Sequence, residues 1–166
     1  MPDTVPALDK KTFRGPDWIV YEAHGEIEGV GYHVTWEPNR SFLLTMAARV
    51  MPAVRMTRTG KWSDRPAKYQ AIQGALRDRV ILLMREHSIE PFPKDVRLAL
   101  GASFYLTPGH ARGDLGNLEK AVEDMLQGAL YENDRCIWAR LPGRKVHSKV
   151  NRFMVKVEVL QGDTDG

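Results

Sequence analysis

The sequence predicts an α/β (α+β) fold, a mixed β-sheet packed by two main helices in a single domain. Three observations carry this. Apolar residues recur at helical spacing twice, at Tyr69, Ile72, Leu76, Val80 and Leu83, and again at Leu118, Ala121, Val122, Met125 and Leu126. Between them the chain alternates strictly, placing Val96, Leu98, Leu100, Ala102, Phe104 and Leu106 on one face, as a half-buried strand does. Strand-like runs flank this block, so the order β-β-α-β-α-β-β emerges, which calls for a sheet covered by helices. At 166 residues there is room for one core of real size.

Each element has a local reason. Residues 1–16 carry Pro2, Pro6 and Pro16 with little periodicity and read as a loose arm. Residues 17–35, rich in Trp, Ile, Val and Tyr and broken by Gly25, Gly29 and Gly31, read as a β-hairpin. Arm and hairpin make residues 1–40 an N-terminal extension, ahead of a main domain at 41–160 and a flexible tail at 161–166. A strand is expected over 41–50, then an extended stretch over 52–62. Ser63 or Asp64 caps the first helix, Pro66 is tolerated in its first turn, and Pro91 and Pro93 end the segment. Residues 107–113, with Pro108, Gly109 and Gly113, form a loop before a second helix at about 115–127. Strand patterns close the chain at 136–141 and 153–159.

Composition excludes several classes. Hydrophobic residues at 43% and charged residues at 27% are ordinary for a globular domain. No apolar run approaches a membrane span, and Met-Pro-Asp-Thr lacks the basic-then-apolar order of a secretory signal. Cys136 is the only cysteine, which forbids an internal disulfide and fits a reducing cytoplasm. The five histidines lack zinc-ligand spacing, though His110 lies just ahead of Asp114. No Gly-x-Ser-x-Gly elbow and no phosphate-binding Gly-x-x-x-x-Gly-Lys-Ser/Thr loop occurs. Trp18, Trp36, Trp62 and Trp138 are expected to pack the core or the hairpin, with Trp62, among basic residues, the exception worth testing.

The net charge is only +3, but it is unevenly placed. Arg55, Arg58, Lys61, Arg65 and Lys68 gather against Asp64 alone. Arg140, Arg144, Lys145, Lys149 and Arg152 gather with no acid among them, while acids concentrate at 114–134. Two basic clusters around an acidic centre suit phosphate contacts beside a metal site, although either cluster alone reads as a solvated loop.

That centre holds Asp114 and Asn117 at a helix start, Lys120 one turn inside, and Asp134 at the head of the next apolar run. Two carboxylates about 4 Å apart repel by roughly 4 kcal/mol at an effective dielectric of 20. A divalent cation turns that cost into a binding site. A helix of about thirteen residues spans roughly 20 Å and seven more cover up to roughly 24 Å, so Asp134 can just return to Asp114. Taken singly, Asp114 is an ordinary cap, and Lys120, Glu119, Glu123 and Asp124 a solvated helix face.

Read in order, Asp114-Leu115-Gly116-Asn117-Leu118-Glu119-Lys120, a helix, then Asn133-Asp134, the chain resembles the RusA family of Holliday junction resolvases. That family's signature runs roughly Asp-Leu-Asp-Asn-Leu-x-Lys, a helix and an Asp-Asp pair before a strand. The stretch from Pro52 to Arg77 resembles the family's basic hairpin entering its first helix, and the likeness covers about residues 41–160. It implies Mg²⁺-dependent hydrolysis of a DNA backbone phosphodiester at four-way junctions, in recombination and repair, by a homodimer. On that basis Asp114 and Asp134 are the metal ligands, Lys120 stabilises phosphate charge and Asn117 holds a ligand or a metal-bound water in place. Arg55, Arg58, Lys61, Arg65, Lys68, Arg144, Lys145 and Lys149 meet DNA. Gly116 stands where the family has an aspartate, a vacant ligand position. The chain is therefore a resolvase of weakened activity, a branched-DNA-binding protein that has lost catalysis, or a variant disabled on purpose.

Overall fold

The computed structural model describes residues 11–53, 65–111 and 113–161. In chain order these hold strands β1 (Lys11–Arg14), β2 (Ile19–Ile27), β3 (Val30–Glu37) and β4 (Ser41–Met46), helix α1 (Arg65–Glu86), strand β5 (Leu98–Leu106) and helix α2 (Leu115–Leu126). Strands β6 (Ile137–Arg140), β7 (Lys145–His147) and β8 (Arg152–Val159) follow. Among the described residues the eight strands form one mixed sheet, ordered β1-β2-β3-β4-β8-β5-β6, with β7 also on β5.

The first four strands are a meander, each antiparallel to the next. Ile27 pairs with Val30, which leaves the two-residue turn Glu28–Gly29, and both residues have positive φ (48° and 78°). Two positive φ values match the twist of a tight hairpin. Glu37 pairs with Ser41 across a three-residue link in which Asn39 takes φ 61°. The expected hairpin is therefore present as β2 and β3, shifted by two residues to 19–37. Residues 11–14, expected within a loose arm, instead form β1, because β2 offers an open edge to pair with. The rest of that arm, residues 1–10, and residues 162–166 of the expected tail lie outside the described residues.

Both helices occupy their expected places. The apolar stripe of α2 is buried, as are Leu76, Val80 and Leu83 of α1. They cover a sheet face made by Leu98, Leu100, Phe104 and Leu106 of β5, Phe153, Val155 and Val157 of β8, and Phe42, Leu44 and Met46 of β4. Each such side chain contributes roughly 1.5–3 kcal/mol on burial. The Arg77 guanidinium of α1 donates to the carbonyls of Asp124 and Met125, satisfying two orphan acceptors in the last turn of α2. The two helices are thereby locked at that end.

The connection that places the site is β5–α2–β6. Strands β5 and β6 are parallel, so the chain between them must run back along the sheet, and α2 makes that return. Strand β7 has no apolar alternation to betray it. It forms because Lys145, Val146 and His147 pair with Phe104, Tyr105 and Leu106, and the Phe104 N–H donates to the Arg144 carbonyl at 2.8 Å.

Candidate functional site

The site begins at the first turn of α2. Asp114 is its N-cap: one carboxylate oxygen accepts from the Asn117 N–H at 2.7 Å and the other from the Asn117 side-chain amide at 3.2 Å. Pro52 packs against Gly113 so closely that a Cβ there would lie 2.2 Å from the proline ring. The Ala53 N–H donates to the Asn117 carbonyl at 3.0 Å. The chain therefore enters the first basic cluster from the first turn of α2.

The second cluster approaches the same end. Lys145 Nζ donates to the carbonyls of Ala111 (2.8 Å) and Gly113 (2.7 Å), clamping the loop that presents Asp114. His110 adds a second tie, contacting Thr107 Oγ1 and Asn151 Nδ2 through its Nδ1. Lys145, expected on DNA, thus has its ammonium engaged within the protein. Lys68, Arg144 and Lys149 are exposed. Arg55, Arg58, Lys61, Trp62 and the side chain of Arg65 lie outside the described residues, as do the expected caps Ser63 and Asp64.

Farther along α2, Lys120 Nζ bridges two acids, Asp124 Oδ1 at 3.2 Å and Asp134 Oδ2 at 3.5 Å. Partial burial pulls its pKa down, but Asp124, Glu123 and Asp134 outweigh burial and hold the ammonium above the ordinary lysine value. Asp124 is reached from α1 by the Tyr69 hydroxyl at 3.5 Å, and Gln73 donates to that hydroxyl at 2.7 Å. Burial first, and then Asp124, pushes the Tyr69 phenol up to about 12.

Glu123 was expected on the solvated face of α2. It is instead 5% exposed, because β6 runs alongside and its Arg140 forms an ion pair with the carboxylate. The Tyr131 hydroxyl donates to the Glu123 carbonyl. Arg140 thus works within the fold rather than with the basic cluster around it. Asp124 is the residue that sequence reasoning passed over. Its spacing of four from Lys120 is a legible signal, but that spacing also describes any surface ion pair.

Asp134 opens a short 3-10 turn ahead of β6, whose Asn133 cap accepts from the Arg135 N–H. Its Oδ2 meets the Lys120 ammonium, which Asp124 also meets. Lys120 stands about 9 Å along the helix axis from Asp114. Asp134 and Asp124 thus share the Lys120 ammonium, while both oxygens of Asp114 are held by Asn117. Among the described residues no group of three or more His, Cys, Asp or Glu side chains is arranged to hold a metal.

The donor chemistry nonetheless suits Mg²⁺. Every acid here offers hard oxygen, Asp134 is half-exposed with room for waters, and Asp124 and Asp134 already converge on a cationic group. Gly116 is exposed, and a Cβ on it would meet only Asp114 Oδ1, at 3.5 Å. An acid at this position would stand beside Asp114 without a clash.

The family match supplies the class, an endodeoxyribonuclease family. Within it the chain belongs to the RusA family, whose model, described as Endodeoxyribonuclease RusA, matches residues 52–158. That match takes in the first basic cluster, both helices, Asp114 to Lys120, Asp134 and nearly all of β8, and β1 to β4 precede it. A comparison with curated proteins finds no match. Among the described residues no helix is long and apolar enough to cross a membrane.

Two tryptophans differ from expectation. Trp36 is buried and stacks on Tyr21, but Trp18 and Trp138 are exposed.

Proposed function

We propose that this chain is a Mg²⁺-dependent endonuclease that binds and cuts four-way DNA junctions as a homodimer, in recombination and repair within a reducing cytoplasm. The observation that carries the reading is the ammonium of Lys120, held between Asp124 and Asp134 on the surface of the helix that Asp114 caps. Membership of the RusA family supports it.

In this reading Asp114 and Asp134 are the metal ligands. A Mg²⁺ ion supplies charge neutralisation at the phosphate and activation of a water there. Asn117 fixes the Asp114 carboxylate by holding both of its oxygens. Lys120 turns its ammonium toward the scissile phosphate and stabilises the charge that grows as the bond breaks. Lys145 keeps the Asp114 loop in place from within. Lys68, Arg144, Lys149 and the Arg55, Arg58, Lys61 and Arg65 cluster hold the backbones on either side.

One observation favours a second reading, a junction-binding protein without catalysis. Gly116 supplies no carboxylate, and Asp114 is engaged by Asn117. A synthetic four-way junction, a duplex and a single strand, each incubated with and without Mg²⁺, separate the two. The nuclease cuts the junction only with Mg²⁺, and Lys120→Ala and Asp134→Asn stop cleavage while leaving binding in place. Binding without cleavage at any Mg²⁺ concentration selects the second reading, and absence of preferential junction binding refutes both.

A further inference from the structure

Trp138 is the most exposed aromatic residue among the large apolar side chains at the described surface, at 62%, and nothing in the nuclease chemistry uses it. It sits on β6, an edge strand. The pairing with β5 slips there, Leu98 opposite Ile137 but Ala99 opposite Ala139, so Trp138 is the extra residue of a β-bulge. A bulge on an edge strand aims a side chain outward, and such bulges concentrate near functional sites. Leu98 faces the helices, so its neighbour Arg97 points to the other side of the sheet, where its guanidinium lies over the indole at 4.3 Å from the ring centroid. With one ring face covered by Arg97 and the residue still so exposed, the opposite face stands in solvent.

We propose that Trp138, backed by Arg97, is a stacking platform for an unpaired nucleobase of branched DNA. The proposal rests on the nuclease reading. A guanidinium behind an indole makes a flat, positively charged surface, and a base stacks on such a surface regardless of sequence. Trp138 lies four positions after Asp134, which opens the 3-10 turn Asp134–Cys136, a chain path of roughly 10 Å. That is about the length of three stacked base steps. Stacking needs an uncovered base face, which only a base released from its stack presents. Paired bases in a duplex do not. The platform therefore reads the open centre of a junction and contributes little to duplex binding.

Binding to a four-way junction and to a duplex of equal arm length, measured by fluorescence anisotropy in chelator, tests this with Trp138→Ala and Trp138→Phe. Trp138→Ala weakens junction binding about tenfold or more while duplex binding stays within about twofold. Trp138→Phe, which keeps an aromatic face, recovers most of the loss. A 2-aminopurine at the branch point becomes brighter on the Ala variant than on the wild-type complex. Wild-type junction binding left unchanged by Trp138→Ala overturns the platform alone. So does equal weakening on both DNAs, or a loss accompanied by a change in sedimenting species, which makes Trp138 a subunit contact. A wild-type chain that binds no DNA overturns the platform and the nuclease reading together.

Discussion

At the scale of single residues, Gly116 is the most consequential position. Its Cβ direction is open except for Asp114 Oδ1, so Gly116→Asp adds a carboxylate next to an existing one. Mg²⁺-dependent junction cleavage is expected to rise at least tenfold, about 1.4 kcal/mol of barrier. Thermal stability falls without metal, because like charges repel, and recovers when Mg²⁺ is added. Asp134→Asn in that background removes the gain. Unchanged cleavage with folding and DNA binding intact shows that Asp114 and Asp134 do not share a metal. Asp124→Asn probes the acids at Lys120. An exposed pair such as Lys120–Asp124 is worth only about 0.3–0.5 kcal/mol of stability. If Asp124 aims Lys120, single-turnover cleavage drops about tenfold, some 1.4 kcal/mol of barrier, at unchanged junction affinity. If the pair is merely a surface contact, rate and affinity both stay put. Since the acids raise the Lys120 pKa, their stabilising effect is complete below the ordinary lysine value and disappears as pH climbs through the raised one. Urea melts should therefore separate wild type from Lys120→Met at pH 8, the gap closing only above about pH 10.

At the scale of elements, the hairpin turn offers the sharpest test of local physics. Glu28 takes φ 48° in a turn whose preferred residue is Asn or Gly. Glu28→Asn should stabilise the protein by about 0.5–1 kcal/mol, or about 2–4 °C in Tm per kcal/mol for a chain of this size. The carbonyl that accepts from Arg79 is backbone, so the change leaves it in place. A lower Tm would show that the Glu28 side chain has a role beyond the turn. Elements with a strong period were legible: the stripes of α1 and α2, the alternation of β5, and Phe153, Val155 and Val157 of β8. Strands β1 and β7 were not. Neither shows a clean alternation of buried and exposed positions, and each exists because a neighbour, β2 or β5, presents unpaired backbone groups.

At the scale of the whole molecule, charge placement matters more than the net +3. Pro52 and Ala53 lead into the first basic cluster from the first turn of α2, and β7 brings the second to the loop before it. If both clusters meet DNA, junction affinity should fall about a thousandfold between 50 and 200 mM salt, as six or more phosphate contacts require. Replacing Arg55, Arg58 and Lys61 together should flatten that dependence, and an unchanged slope would assign the first cluster to solvent. Lys145→Met should barely alter the slope, since its ammonium is held by Ala111 and Gly113. The proposed homodimer rests on the proposed substrate: paired cuts in a junction of near two-fold symmetry need two sites related by the same operation. Sedimentation of a monomer at micromolar concentration with junction DNA present would remove it.

The amino-acid sequence alone determined the fold class, both helices, the central strand and the motif from Asp114 to Lys120. Those features are encoded by short-range periodicity and by neighbours within one turn of helix. Tertiary structure alone decided that Asp134 and Asp124 meet at Lys120, that Glu123 is buried under Arg140, and that Trp138 stands in solvent beneath Arg97. All three depend on where β6 lies against β5, and its register, with the bulge at Trp138, is set by pairing between residues some forty positions apart. No local pattern in either strand carries that information.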